Sequence, residues 1–231
     1  MLNSNKQFKI SPIKTIIAIL IPPLELWIGP MAIKLVSGQI AKAAIMDLIF
    51  FLGFIAAIWL YHDVLSTDWK QFKHRWFFKF LLAIGGVVVS YLILIGARLL
   101  LKSVGLADGA NTTDLLSIQS ATLGLVGSLT VLMAPFTEEI IFRHALFYQW
   151  KNRGLLTWLM FIVSAILFGL GHWNNFDGNV IAMIPYMLVG AWYALIYYFS
   201  HNIWQNILTH FLFDIMQFLG ALLVFVVAFF Q

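Results

Sequence analysis

Glu138, Glu139 and Arg143 follow directly on a long apolar run, Ser120 to Phe136. Each acidic or basic residue near the centre of a membrane helix costs roughly 2.5 to 3.5 kcal/mol. A membrane helix that keeps three of them so close together has a use for them. Glu139 and Arg143 are four residues apart with the acid first, so on a helix they share a face and can pair. Glu138 sits about 100° round the axis and points elsewhere. One carboxylate can then be tied up by arginine while its neighbour handles protons. The competing reading is a structural ion pair between helices, and it carries equal weight for this pair alone.

Two later stretches carry matching chemistry. The first is Phe168-Gly169-Leu170-Gly171-His172, whose glycines let a backbone or a substrate come close. A lone histidine there is more often an interfacial hydrogen-bonding residue than a catalyst. The second contains His210 and Asp214, four apart on one face. A carboxylate beside an imidazole fixes its tautomer and raises its basicity. A buried histidine satisfied by a local aspartate is the plain alternative. Taken together, Glu138, Glu139, Arg143, His172, His210 and Asp214 could supply a general base, a proton-sharing imidazole and oxyanion donors. That equipment adds water to an amide. No serine stands in a nucleophile's context, the chain has no cysteine, and there is no HExxH zinc motif.

The elements that must position these residues are membrane helices. Hydrophobic residues make up 61% of the chain and charged residues 10%, against about 25% charged in a soluble domain. Apolar runs reach the 17–25 residues that a bilayer requires. The expected fold is an all-α polytopic transmembrane bundle of about seven spans: 15–36, 43–62, 77–101, 119–148, 155–172, 180–200 and 204–230. It forms one domain over residues 1–231. The basic start followed by an apolar run resembles a signal peptide, but it lacks a small-x-small cleavage site and is expected to stay as the first helix. Pro22-Pro23 should kink that span or make it re-entrant. Glu25 then either caps freed amides, faces a cavity, or lies at the interface. Asp47 and Arg98 are expected to be structural or to snorkel. Gly85-Gly86 should mark close helix packing.

The stretch from Leu65 to Trp76 alternates aromatic and basic residues, as an interfacial segment on an anionic leaflet does. Trp59, Trp76, Trp150, Trp158, Trp173 and Trp204 fall near span ends as belt residues. With seven spans, one side collects Lys6, Lys9, Lys14, Lys70, Lys73, Arg75, Lys79, Lys151 and Arg153. The other collects Lys34, Lys42, Arg98 and Lys102. This bias favours a cytoplasmic N-terminus. A formal sequon, Asn111-Thr112-Thr113, lies in the long outer loop. The net charge of +4 suits a membrane surface and does not point to nucleic acid.

Glu138-Glu139-x-x-x-Arg143, Phe168-x-x-x-His172 and His210-x-x-x-Asp214 resemble, in order, the three motifs of the CAAX-processing and bacteriocin-processing protease family. These intramembrane endopeptidases include the eukaryotic Ras-converting endopeptidase and bacterial Abi-type proteins. The resemblance covers about residues 119–216. It implies that Glu138 is the general base that activates water with help from His172. It implies that Glu139 supports it with Arg143 as ion partner, and that His210 and the residue four later stabilise the oxyanion. That residue is typically Asn in members that cleave prenylated proteins, and here it is Asp214. An ionised Asp cannot donate, so Asp214 is protonated, orients His210 or binds something positive. The departure weakens a prenyl-protein reading and fits the bacterial branch.

The resulting expectation is an intramembrane endopeptidase in a bacterial cell membrane. Its partners are membrane lipid and a peptide or protein substrate, lipid-anchored or bacteriocin-like. No cofactor is expected. A zinc-dependent version of the same protease is the alternative, since two histidines and the carboxylates could bind zinc. A non-catalytic bacteriocin-immunity or receptor-binding protein is the alternative from another class. A proton-coupled transporter ranks last, because no internal repeat is visible.

Overall fold

A computed structural model describes residues 10–106 and 118–230 of the chain. Lys6, Lys9 and the sequon Asn111-Thr112-Thr113 lie outside the described residues. Every regular element among the described residues is helical: α1 Pro12–Ala32, α2 Gln39–Leu60, α3 His62–Phe72, α4 Trp76–Ser103, α5 Ile118–Gly127, α6 Ala134–Glu138, α7 Leu155–Leu170, α8 Val180–Ser200 and α9 Ile203–Phe229. Six stretches are long and apolar enough to cross a membrane, and the chain is a multi-pass membrane protein. The remaining expected span is α7. Its 16 residues reach about 24 Å at 1.5 Å per residue, short of a hydrocarbon core of about 30 Å. It packs along α8.

The fourth span is not one helix. The chain passes from α5 through a 3₁₀ turn at Leu129–Leu132 into the short α6, then into a π-helical segment, Glu139–Ala145. Pro135 explains the break, because its missing N–H suits a helix's first turn and cannot continue α5. The widened π turn leaves carbonyls to satisfy. Ser164 donates to the Phe142 carbonyl at 2.6 Å, and the Gln149 amide donates to the Ala145 carbonyl. Gln149 also exchanges hydrogen bonds with Thr15 at 2.9 and 3.3 Å, which ties α1 to this segment. Short π segments inside helices recur at functional sites.

The structure adds to four of these expectations or chooses between their alternatives. α1 runs helically through Pro22, Pro23 and Pro30; it does not turn back. For Asp47 the structural alternative holds, and it does not snorkel. It is 9% exposed, and neither carboxylate oxygen has a hydrogen-bond partner, because α2 turns that face inward. The aromatic-basic stretch forms the helix α3, which buries Leu65, Asp68 and Phe72 and packs on α9. Its Asp68 accepts from the Ile203 N–H at 2.9 Å, satisfying an amide at the start of α9. Trp204 is not a free belt residue: its indole donates to the Leu65 carbonyl at 2.7 Å and its ring meets Trp69. Trp59, Trp76, Trp158 and Trp173 are exposed, as belt residues should be.

Small residues set the helix spacing that brings the site together. A Cβ on Gly86 would lie 2.7 Å from the Thr209 methyl, whereas Gly85 faces open space. Close packing therefore falls to Gly86 alone, between α4 and α9. Where α7 meets α8, a Cβ on Gly169 would lie 2.9 Å from the Met187 amide nitrogen and 3.2 Å from the Met183 carbonyl. Backbone cannot step aside as a flexible side chain can. Gly169→Ala should therefore destabilise the protein by about 1–3 kcal/mol, read as a lowered midpoint of unfolding in detergent. An unchanged midpoint would mean that α7 and α8 are not packed this closely.

Candidate active site

The π-helical segment aims a line of charged side chains into the bundle. Glu139 and Arg143 are entirely buried. Arg143 Nε lies 3.3 Å from Glu139 Oε2, and the guanidinium stacks 3.8 Å over the centre of the Phe168 ring. The i,i+4 pair read from the sequence therefore forms, on a π turn. Asn206 of α9 donates its side-chain amide to the same Glu139 oxygen. The other Glu139 oxygen lies 2.7 Å from His210 Nδ1. A buried carboxylate thus has three partners, which its desolvation requires.

His210 is the hub. Nδ1 faces Glu139, and Nε2 lies 3.7 Å from Glu138 Oε2 and 3.4 Å from Asp214 Oδ2. The imidazole stacks on Tyr193 at 4.6 Å between centroids and meets the edge of Phe168 at 5.7 Å. Its plane is set by packing and by Glu139. The sequence alone suggests Asp214 as the residue that orients this ring; Glu139 instead grips Nδ1, and Asp214 shares Nε2 with Glu138. Both ring nitrogens face carboxylate oxygens, so both contacts are satisfied when both nitrogens carry hydrogens.

Glu138 is the open member. Its side chain is 28% exposed, against 18% for Asp214 and 5% for His210. It lines a cavity of about 70 Å³ together with Glu25, Thr137, Phe50 and Gly171. Glu138 therefore faces the cavity and the Nε2 side of His210, while Glu139 faces Arg143 and the Nδ1 side.

His172 stands at the margin. Its Nδ1 lies 3.1 Å from the Phe168 carbonyl, which suits an N–H there and leaves Nε2 as an acceptor. The ring packs on Phe168 and lies 4.4 Å from Tyr186. His172 and His210 thus flank one phenylalanine. Tyr186 is itself held by Arg98, whose Nη2 donates to the tyrosine hydroxyl at 3.1 Å, giving Arg98 a structural role. Five of the six residues singled out in the sequence meet in direct contact, and His172 joins them through Phe168.

Sequence reasoning passed over Asn206 and Tyr186. Asn206 carried a signal, since it lies one turn before His210 on the same face. Tyr186 had none, because α8 has no charge to mark it. As for metal, His210 Nδ1 is already engaged by Glu139. Among the described residues, no three His, Asp or Glu side chains are grouped as an ion's ligands.

Residues 120–216 match the model of the family described as Type II CAAX prenyl endopeptidase Rce1-like. This segment is similar to the CAAX-processing endopeptidase family. It spans the π-helical segment, α7, α8 and the half of α9 that carries His210 and Asp214, so every residue described above except Glu25, Phe50 and Arg98 falls within it. An uncharacterized protein of Mycoplasma capricolum subsp. capricolum is 39% identical over 72 residues, 31% of this chain and 20% of the relative. The chain thus aligns with about one fifth of that relative's length. No solved structure matches the chain.

Proposed function

We propose that this protein is an intramembrane endopeptidase that hydrolyses a peptide bond of a membrane-associated peptide or protein by adding water. The observation that carries this reading is the contact of Glu138 with His210 at the edge of a water-sized cavity, with Glu139, Arg143 and Asn206 locked behind them. Glu138 is the base. It removes a proton from a water in the cavity while the oxygen adds to the scissile carbonyl carbon. The carbonyl oxygen becomes an oxyanion, stabilised by donors fixed in advance, as electrostatic catalysis requires. His210 Nε2–H is one such donor, held in plane by Glu139. The proton on Glu138 then passes to the departing nitrogen, the C–N bond breaks, and the new carboxylic acid gives its proton to the amine, so that a carboxylate and an ammonium leave.

His172 packs on the other side of Phe168 from His210 and helps fix that ring. Asp214 shares the His210 Nε2–H with Glu138 before reaction and gives that hydrogen up to the oxyanion, while Glu139 keeps the ring in place. No step runs through a metal. The protein sits with its N-terminus on the cytoplasmic side.

Hydrolysis leaves an isotopic mark. Purified protein in detergent, given membrane peptides in ¹⁸O-labelled water, should yield fragments with one ¹⁸O at each new C-terminus by mass spectrometry. Fragments without the label, or intact peptides, would contradict the reading. Chelation should leave the rate unchanged; loss with chelator and recovery with zinc would favour the metal-dependent version.

A further inference from the structure

Glu25 is a buried acid that the mechanism does not use. It comes from α1, outside the family-matched segment, and lines the same cavity as Glu138. It is 7% exposed, and its Oε1 has no hydrogen-bond partner. The fold makes room for it at a specific place: Oε1 occupies the spot where a side chain on Gly53 of α2 would begin, so any Cβ there would collide with it.

An ionised carboxylate buried without a partner is costly, so Glu25 either keeps a proton or is completed by a positive group. The nearby cations face other carboxylates. Arg143 contacts Glu139, and His210 contacts Glu139, Glu138 and Asp214. Those carboxylates already outnumber the two cations before Glu25 is counted. The remaining lining is mainly apolar, with Pro22, Leu26 and Phe50 among it. Such walls exclude water and strengthen a charge pair. About 70 Å³ suits a compact ammonium better than a planar guanidinium, which needs a matched two-toothed acceptor.

We propose that Glu25 accepts a primary ammonium group of the peptide, held in the cavity beside Glu138. The identity of the ligand as a peptide rests on the endopeptidase reading. The subsite would place a positive charge next to the bond attacked and so select substrates with an amine at that distance.

The test needs no turnover. Hexylammonium and hexanol have the same chain and differ in charge. Carbodiimide labelling of Glu25 in the wild-type protein in detergent, read by peptide mass spectrometry as loss of the unmodified Glu25 peptide so that adduct and amide count alike, should slow about tenfold at an amine concentration about ten times its dissociation constant. Hexanol should have little effect. Hexylammonium should also raise the melting temperature of the wild type and not that of Glu25→Gln. Two hydrophobic peptides then separate the sources of the amine: one carries a lysine and an acetylated N-terminus, the other a norleucine and a free N-terminus. Protection by either supports the subsite and names the amine.

Equal protection by hexanol, no protection by either peptide, or an amine-dependent shift retained in Glu25→Gln would overturn the proposal. Should Glu25→Gln fail to fold, the wild-type labelling decides alone. A protein that hydrolyses peptides but shows no ammonium protection refutes this subsite only. Ammonium protection without hydrolysis refutes the endopeptidase reading only.

Discussion

Glu138→Gln should lower the turnover of peptide hydrolysis by about 10³-fold, the scale of a lost general base, with the protein folded and substrate binding little changed. The amide keeps the size of the side chain and can still meet His210. It cannot take a proton from water. Glu138 is also the most exposed of the acids in this cluster, so its replacement removes little buried pairing. The loss should therefore appear in kcat with KM nearly constant, the signature of an interaction made in the transition state. Melting curves in detergent would show that the variant is folded. Turnover within a few-fold of wild type would remove Glu138 from the role of base.

The largest effect on stability is expected at Arg143. Arg143→Leu should destabilise the protein by about 3–5 kcal/mol, the cost of leaving one partner of a buried ion pair alone. Glu139 would keep His210 and Asn206, which favours the lower end of that range. The guanidinium's stack on Phe168 is lost as well, and Phe168 is the ring that both imidazoles touch. Adding Glu139→Gln to Arg143→Leu should restore part of the loss, because the stranded charge is gone. Equilibrium unfolding of the two single variants and the double variant forms a double-mutant cycle. Additive losses would show that the two side chains do not act as a pair.

The site was more legible in the sequence than the helix that carries it. Glu138, Glu139, Arg143, His210 and Asp214 stood out because charge is rare in this chain, and helical spacing predicted which of them face one another. The break between α5 and the π-helical segment was hidden, because hydropathy stays high from Ala121 to Trp150 whether the backbone is α, 3₁₀ or π. Pro135 was the one local clue.

Polar residues without charge, such as Asn206 and Tyr186, were passed over for the same reason that the acids were seen. Asp47 and Glu25 show the limit of position along a span as a guide. Both lie away from the motifs, yet both are buried, and what decides that is which face α1 and α2 turn toward each other. The short α7 reads as a full span because its apolar run continues through Gly169 and Gly171, where the helix itself ends at Leu170.

The most direct test is to compare Glu138→Gln, His210→Gln and the double variant for peptide hydrolysis. Residues that act as one unit are strongly non-additive: once one is lost, the other has little left to contribute. The predicted result is that the double variant is no slower than the slower single variant, with all three proteins folded. Losses that multiply in the double variant, or full activity in either single variant, would contradict a shared water-activating site built from Glu138 and His210.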